Sequence, residues 1–75
     1  MSVQLYKNHL IVAFALFDPA NNLWSPLIDI SWPDGDSRKY HSLRPADRFA
    51  IEQEAQEFAL TLAKSWVDGT QQRTE

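Results

Sequence analysis

Residues 9–17 read HLIVAFALF, an apolar run without glycine, proline or any acidic residue. A short β-rich run of this kind, closed by Asp18-Pro19, predicts a strand. Both of its alternating sides are apolar: one carries Leu10, Val12, Phe14 and Leu16, and the other carries Ile11, Ala13, Ala15 and Phe17. A strand that is apolar on both sides is usually buried on both sides.

Turn residues and alternation predict two more strands downstream. The turn cluster at residues 18–22 leads into a strand at 23–32, whose even positions are apolar and whose odd positions include Ser25, Asp29 and Ser31. Pro33-Asp34-Gly35 predicts the next turn, before a more polar strand at about 36–43. If Phe17 pairs with Leu23, the even residues of the first two strands share one face, and we expect the helix to cover it.

The C-terminal third of the chain predicts one amphipathic helix. Its apolar stripe recurs at three- and four-residue steps and consists of Ile51, Ala55, Phe58, Ala59, Leu62, Ala63 and Trp66. Asp68-Gly69 predicts the end of the helix, with the glycine in a left-handed conformation. The sequence therefore predicts a single small α+β domain over 1–75: a three-stranded antiparallel meander packed against one C-terminal helix (β-β-β-α). Residues 1–8 and 70–75 are expected to be frayed.

Composition limits the function classes. The formal net charge of −3 argues against general electrostatic binding to nucleic acid. The absence of cysteine argues against disulfides and thiolate metal sites. The lack of cysteine also fits a cytoplasmic location. The run at 10–17 is too short to span a bilayer, so we expect neither a membrane segment nor a membrane partner.

A set of residues at defined spacings runs through most of the chain. The matching positions are Tyr6-Lys7-x-His9, Asp18-Pro19, Trp24-x-Pro26, Ile30-x-Trp32, Phe49, Glu54-Ala55, Phe58-Ala59 and Ala63-x-x-Trp66-Val67-Asp68. This pattern resembles a group of short bacterial proteins of β-β-β-α order with no assigned function, and it implies a fold and a bacterial source. A looser similarity is to HicB-type antitoxins, but the chain lacks their Gly-Cys-containing third-strand segment and an appended DNA-binding segment.

No motif predicts catalysis. His9 and His41 lie on different predicted strands, and neither belongs to a recognised metal-ligand spacing. Asp29 alternates with Ser25 and Ser31, which favours a solvated or paired carboxylate. We therefore expect no enzyme, no catalytic residue, no metal and no cofactor.

Two binding hypotheses remain. Apolar residues left uncovered by one helix predict a homodimer or partner interface, with candidate residues Ile11, Ala13, Phe17, Leu27, Leu60 and Val67. The alternative is a nucleic-acid or anion-binding module on the basic third strand, using Arg38, Lys39, Tyr40, Arg44 and Arg48. We favour the first: a small non-enzymatic interaction module that associates with itself or with another protein.

Overall fold

The sheet has four strands, one more than the sequence predicted. The computed structural model describes residues 1–72, with β1 at Ser2–Tyr6, β2 at His9–Asp18, β3 at Leu23–Asp34, β4 at Ser37–Leu43 and helix α1 at Glu52–Gln72. The strands form an antiparallel meander in the order β1-β2-β3-β4. The α+β class and the single C-terminal helix are confirmed.

Strand β1 lies where the sequence predicted a frayed terminus. A two-residue turn at Lys7-Asn8 joins it to β2, and both turn residues have positive φ, 50° and 66°. That combination is the type I′ turn, whose twist matches antiparallel strands. Asparagine tolerates the left-handed region but lysine does not favour it, so the turn lacks the usual glycine signal. Residues 2–6 are therefore a paired strand in the structure, where the sequence analysis expected fraying.

The pairing of β2 with β3 differs by one residue from the predicted register. Phe17 pairs with Trp24, and Asp18 pairs with Leu23, because Asp18 belongs to the strand and the loop holds four residues. Asp18 also closes that loop, since its carboxylate accepts hydrogen bonds from the Ala20 N–H and the Asn21 side chain. A one-residue slip moves every side chain of one strand to the opposite face of its partner.

The core consequently uses the side of β2 that the sequence analysis had left uncovered, together with the predicted side of β3. Odd residues of β2 join even residues of β3 beneath the helix, and the fully buried apolar side chains are Ile11, Ala13, Ile28, Ile30, Ala55, Ala59, Ala63 and Val67. Ala55, Ala59 and Ala63 recur every four residues, so the helix backbone can approach the sheet closely. The prediction that the helix covers Leu10, Val12, Phe14 and Leu16 is wrong.

Proline 26 marks the point where β4 stops accompanying β3. The last pair of the two strands is Ile28 with Leu43, and beyond it Trp24 exchanges two backbone hydrogen bonds with Phe49, at 2.6 and 3.0 Å. Backbone groups two residues apart in a strand point the same way, so the nitrogen of Pro26, which carries no hydrogen, faces the gap between these two contacts. Phe49 precedes the helix and packs on Phe58 with ring centroids 5.2 Å apart.

Helix α1 does not end at Asp68-Gly69. It continues to Gln72, and Gly69 is not among the residues of positive φ. Residues 70–72 were expected to be frayed but are helical, while residues 73–75 lie outside the described part of the chain. Among residues 1–72, no helix combines the length and the apolar character needed to cross a membrane.

Candidate functional site

The sheet surface opposite helix α1, here called the open face, carries a group of exposed and half-buried apolar side chains. They lie mainly on β1 and β2 and form an apolar patch of Val3, Leu5, Leu10, Val12, Phe14, Leu16 and Leu27. Val3, Leu5 and Leu16 are 57%, 70% and 62% exposed. No described residue packs over these three side chains well enough to remove them from water.

The other half of the open face is mostly polar, and four of its side chains form two hydrogen-bonded pairs. The Ser42 hydroxyl donates to the Asp29 carboxylate at 2.6 Å, and the Arg38 guanidinium donates to the Ser31 hydroxyl at 3.1 Å. A shallow depression of about 310 Å³ lies between this half and the patch, with Leu10 and Val12 on its apolar side and Tyr40 on its polar side. The open face thus combines an apolar half with a polar half in which Asp29 and Ser31 each have a hydrogen-bond partner on β4.

The candidate interface residues fall in three different places. Ile11, Ala13 and Val67 are fully buried in the core of the chain itself, and half-buried Leu60 packs against that core. The slip of the β2–β3 register explains why Ile11 and Ala13 were placed on the wrong face. A rotation of the helix stripe toward Val67 explains the misplacement of that residue. Ile11, Ala13 and Val67 are therefore corrected from interface to core, while half-buried Leu60 stays a predicted interface residue.

Phe17 and Leu27, the remaining interface candidates, keep some access to solvent. Phe17 lies on the helix-bearing side, where its ring contacts that of Trp24 at a centroid distance of 5.0 Å. Leu27 pairs with Phe14 and is half-buried on the open face. Of the six predicted interface residues, Leu27 is the one that belongs to the apolar patch.

The basic residues do not share one surface. Arg38 and Lys39 are neighbours on β4 and point to opposite faces, and Lys39 lies 3.7 Å from the Asp34 carboxylate. Arg48 donates to the carbonyls of its own loop, including those of Ala46 and Asp47 at 2.9 Å. Arg44 and Tyr40 are both exposed. The nucleic-acid alternative stays a prediction, and these placements lend it little support.

The structure brings the two histidines to one aromatic cluster, which the sequence did not reveal. His41 stacks on Trp66 with ring centroids 4.5 Å apart, and His9 lies 5.1 Å from Trp32. His9 Nδ1 is 2.7 Å from the Lys7 carbonyl oxygen, so this nitrogen carries the proton and donates. Because His9 and His41 flank β3 on the helix side, the β2–β3–β4 order was needed to find the cluster. Among residues 1–72, no three His, Asp or Glu side chains are arranged to hold a metal ion.

Strand β1 is fastened to the helix at both ends. Ser2 Oγ donates to Gln56 Oε1 at 3.1 Å, and the Tyr6 hydroxyl donates to the Asp68 carboxylate at 3.0 Å. Lys7 Nζ lies 2.6 Å from the same carboxylate. Its hydrogen bond to Asp68 raises the pKa of Lys7, and the Lys7 and then the Tyr6 hydrogen bonds hold the pKa of Asp68 below its ordinary value.

The residues that carry the bacterial resemblance have packing roles in the structure. Tyr6 anchors β1, while Trp32 and Trp66 build the aromatic cluster with His9. These contacts describe a fold and no activity, so the resemblance stays a prediction. No protein-family model, no curated protein and no solved structure matches this chain.

Proposed function

We propose that this chain is a small non-enzymatic interaction module, that its first partner is a second copy of itself, and that the apolar patch is the contact surface. The observation that carries the proposal is the exposure of Val3, Leu5 and Leu16 on one side of the sheet, next to the half-buried remainder of the patch. Contiguous apolar surface of this kind on a small domain marks an association site.

The polar half of the open face supports binding over catalysis. Asp29 is exposed and already accepts a hydrogen bond from Ser42, while Arg38 is engaged with Ser31. A catalytic carboxylate is usually desolvated in a cleft, whereas Asp29 is open to solvent. The paired side chains instead resemble the polar rim that surrounds an apolar contact.

A second copy is the occupant we favour, because a twofold contact places the same patch on both sides. Such a surface must be complementary to itself, and an apolar patch without buried charge meets that condition. The patch contains no charged side chain. We also propose a cytoplasmic location, which the absence of cysteine from the chain supports.

Sedimentation of the purified protein tests the proposal, with a concentration series at low and at high salt. We expect a monomer–dimer equilibrium that persists at high salt, because apolar contacts are not screened by ions. Leu5→Glu places a charge within the patch and should abolish the dimer. Thr61→Glu, on the exposed side of helix α1, is the matched control and should not.

A monomer at every concentration would contradict the proposal. A dimer that dissociates at high salt would also contradict it, since the contact would then be ionic. Circular dichroism of both glutamate variants separates a lost contact from a lost fold.

A further inference from the structure

The two edges of the sheet differ in how they are protected. Strand β4 carries Arg38 and Lys39, the kind of charged residues that discourage pairing with another chain. Strand β1 reads SVQLY and has no charge, no proline and no glycine. Among residues 1–72 its only strand partner is β2, so its outer side is an open edge.

The type I′ turn determines which backbone groups lie on that edge. The closing pair of a two-residue hairpin, Tyr6 with His9, exchanges both of its hydrogen bonds. Because the direction alternates along a strand, Ser2, Gln4 and Tyr6 direct their backbone groups toward β2. Val3 and Leu5 direct theirs outward. Two N–H groups and two carbonyls therefore stand ready for another strand.

We infer that two copies of this chain pair through β1, antiparallel and about a twofold axis at Gln4, to form one continuous eight-stranded sheet. This inference rests on the proposed homodimer and states where on the patch the copies meet. Val3 and Leu5 belong both to the open edge and to the apolar patch, so the contact pairs the outward backbone groups and places Val3 beside Leu5 of the second copy, while the rest of the patch stays uncovered.

The register follows from symmetry. Opposed residues of an antiparallel pair must both point toward the partner or both point away, which excludes registers shifted by one residue. With Gln4 on the axis, all five residues of β1 are paired, and Val3 lies opposite Leu5 of the second copy. This register gives four backbone hydrogen bonds and two aliphatic cross-strand pairs. Moving the axis to Val3 or Leu5 leaves two residues of each strand unpaired.

The joined sheet also merges the two apolar patches into one surface. The patch of each copy runs across β1 and β2 on the same face, so both patches lie side by side across the new strand pair. The helices lie together on the opposite face, over β2 and β3, and leave the β1 edge accessible.

Val3→Pro tests the backbone pairing. The Val3 N–H points away from β2, so proline at this position removes a donor from the edge and none from the β1–β2 ladder. Each dimer loses two hydrogen bonds, and we expect the dissociation constant to rise at least about tenfold. Val3→Thr keeps the N–H, the branched shape and the strand preference, and it should leave the dimer largely intact.

A single cysteine tests the axis, because the chain contains none of its own. At a non-hydrogen-bonded antiparallel pair the Cα atoms lie about 4.5 Å apart, within disulfide range. Gln4→Cys should therefore form a disulfide-linked dimer under mild oxidation. Leu16→Cys, at the far end of the patch on β2, is the matched control and should remain reduced.

Three outcomes separate this inference from the proposed function. Loss of the dimer in Val3→Pro together with cross-linking of Gln4→Cys supports edge pairing. A dimer that survives Val3→Pro but is lost in Leu16→Lys packs face to face, which overturns the edge pairing and leaves the proposed function standing. A wild-type protein that is always monomeric overturns both.

Discussion

The covered face and the open face of this sheet are built from the same strands, yet only the covered face is complete. On the covered face, Ile11, Ile28 and Ile30 are sealed beneath a helix whose contact stripe is mostly alanine. On the open face, Leu5 and Leu16 have the same apolar character and remain in water. The difference shows that the 21-residue helix covers β2 and β3 on one side of the sheet and leaves the other side open, so apolar residues on that second side need another explanation.

Energetically, the comparison separates folding from association. Burial of an aliphatic side chain stabilises a fold in proportion to the area removed from water, so the covered face contributes most of the monomer's stability. Residues of the open face contribute little until a partner covers them. A chain of 75 residues has a small stability margin, and it can least tolerate losses on the covered face.

Truncating a buried side chain of the covered face should lower stability far more than truncating an exposed side chain of the open face. Ile30→Ala removes a side chain that is 1% exposed and should lower the free energy of unfolding by about 3 kcal/mol. Leu16→Ala removes one that is 62% exposed and should cost less than about 1 kcal/mol. Urea denaturation at a concentration where the protein is monomeric measures both.

Equal losses of unfolding free energy in Ile30→Ala and Leu16→Ala would contradict this difference between the two faces. They would mean that the open face is already covered within the monomer, and the proposed contact surface would lose its basis. Far-ultraviolet circular dichroism in the absence of urea checks that Ile30→Ala still populates the folded state.

The sequence predicted the elements of the sheet better than the relation between them. The apolar run at 9–17 and the alternation at 23–32 identified β2 and β3, and the apolar stripe that runs from Ile51 to Trp66 identified the helix. The predicted register assigned Asp18 to the loop, because Asp-Pro usually begins a turn. Since β2 is apolar on both sides, its own pattern could not reveal the error, and the wrong side was assigned to the core.

Strand β1 and the helix end were missed for local reasons. Val3 and Leu5 alternate with Gln4 and Tyr6, which is a strand pattern, but the following Lys-Asn turn lacks glycine. At the other end, Asp68-Gly69 has the composition of a helix stop, whereas Asp68 is held by Tyr6 and Lys7. These contacts of Asp68 join residues more than sixty positions apart, so the local pattern at 68–69 does not contain them. The candidate site suffered most, because its residues were chosen from the register.

Gly69→Ala tests whether helix α1, which packs on the covered face, continues through residue 69. Gly69 is helical, and no atom lies within 4 Å of the position that an added Cβ would occupy. Alanine should therefore stabilise the protein by about 0.5 kcal/mol, through its higher helix propensity.

Gly35→Ala is the matched substitution and should have the opposite sign. Gly35 has φ of 64° in the β3–β4 turn, a conformation that alanine disfavours by about 1 kcal/mol. Thermal unfolding of both variants gives the two signs. Destabilisation by Gly69→Ala would mean that the helix ends at Asp68 in solution, as the sequence predicted.

The smallest effect concerns the fastening of β1, the strand that carries the open edge, to the helix. The Lys7 and Tyr6 hydrogen bonds lower the pKa of Asp68 below its ordinary value of 3.8, so the ionised carboxylate stabilises the fold. This contribution is fully present at a pH above 3.8 and is lost as the pH falls through the lower folded-state pKa. The pKa of Lys7 is raised above 10.5, so its contribution is lost only as the pH rises through that higher value.

Asp68→Asn keeps an acceptor for the Tyr6 hydroxyl and removes the charge. The difference in unfolding free energy between wild type and Asp68→Asn should be constant at neutral pH and shrink at both extremes. It should also shrink in high salt, because the Lys7–Asp68 pair is exposed to solvent. Lys7→Gln should reproduce most of the acid-side change, since Lys7 is the main cause of the Asp68 shift. A difference that does not depend on pH would instead assign the fastening of β1 to the Tyr6 hydrogen bond and Ser2, with no role for the charge pair.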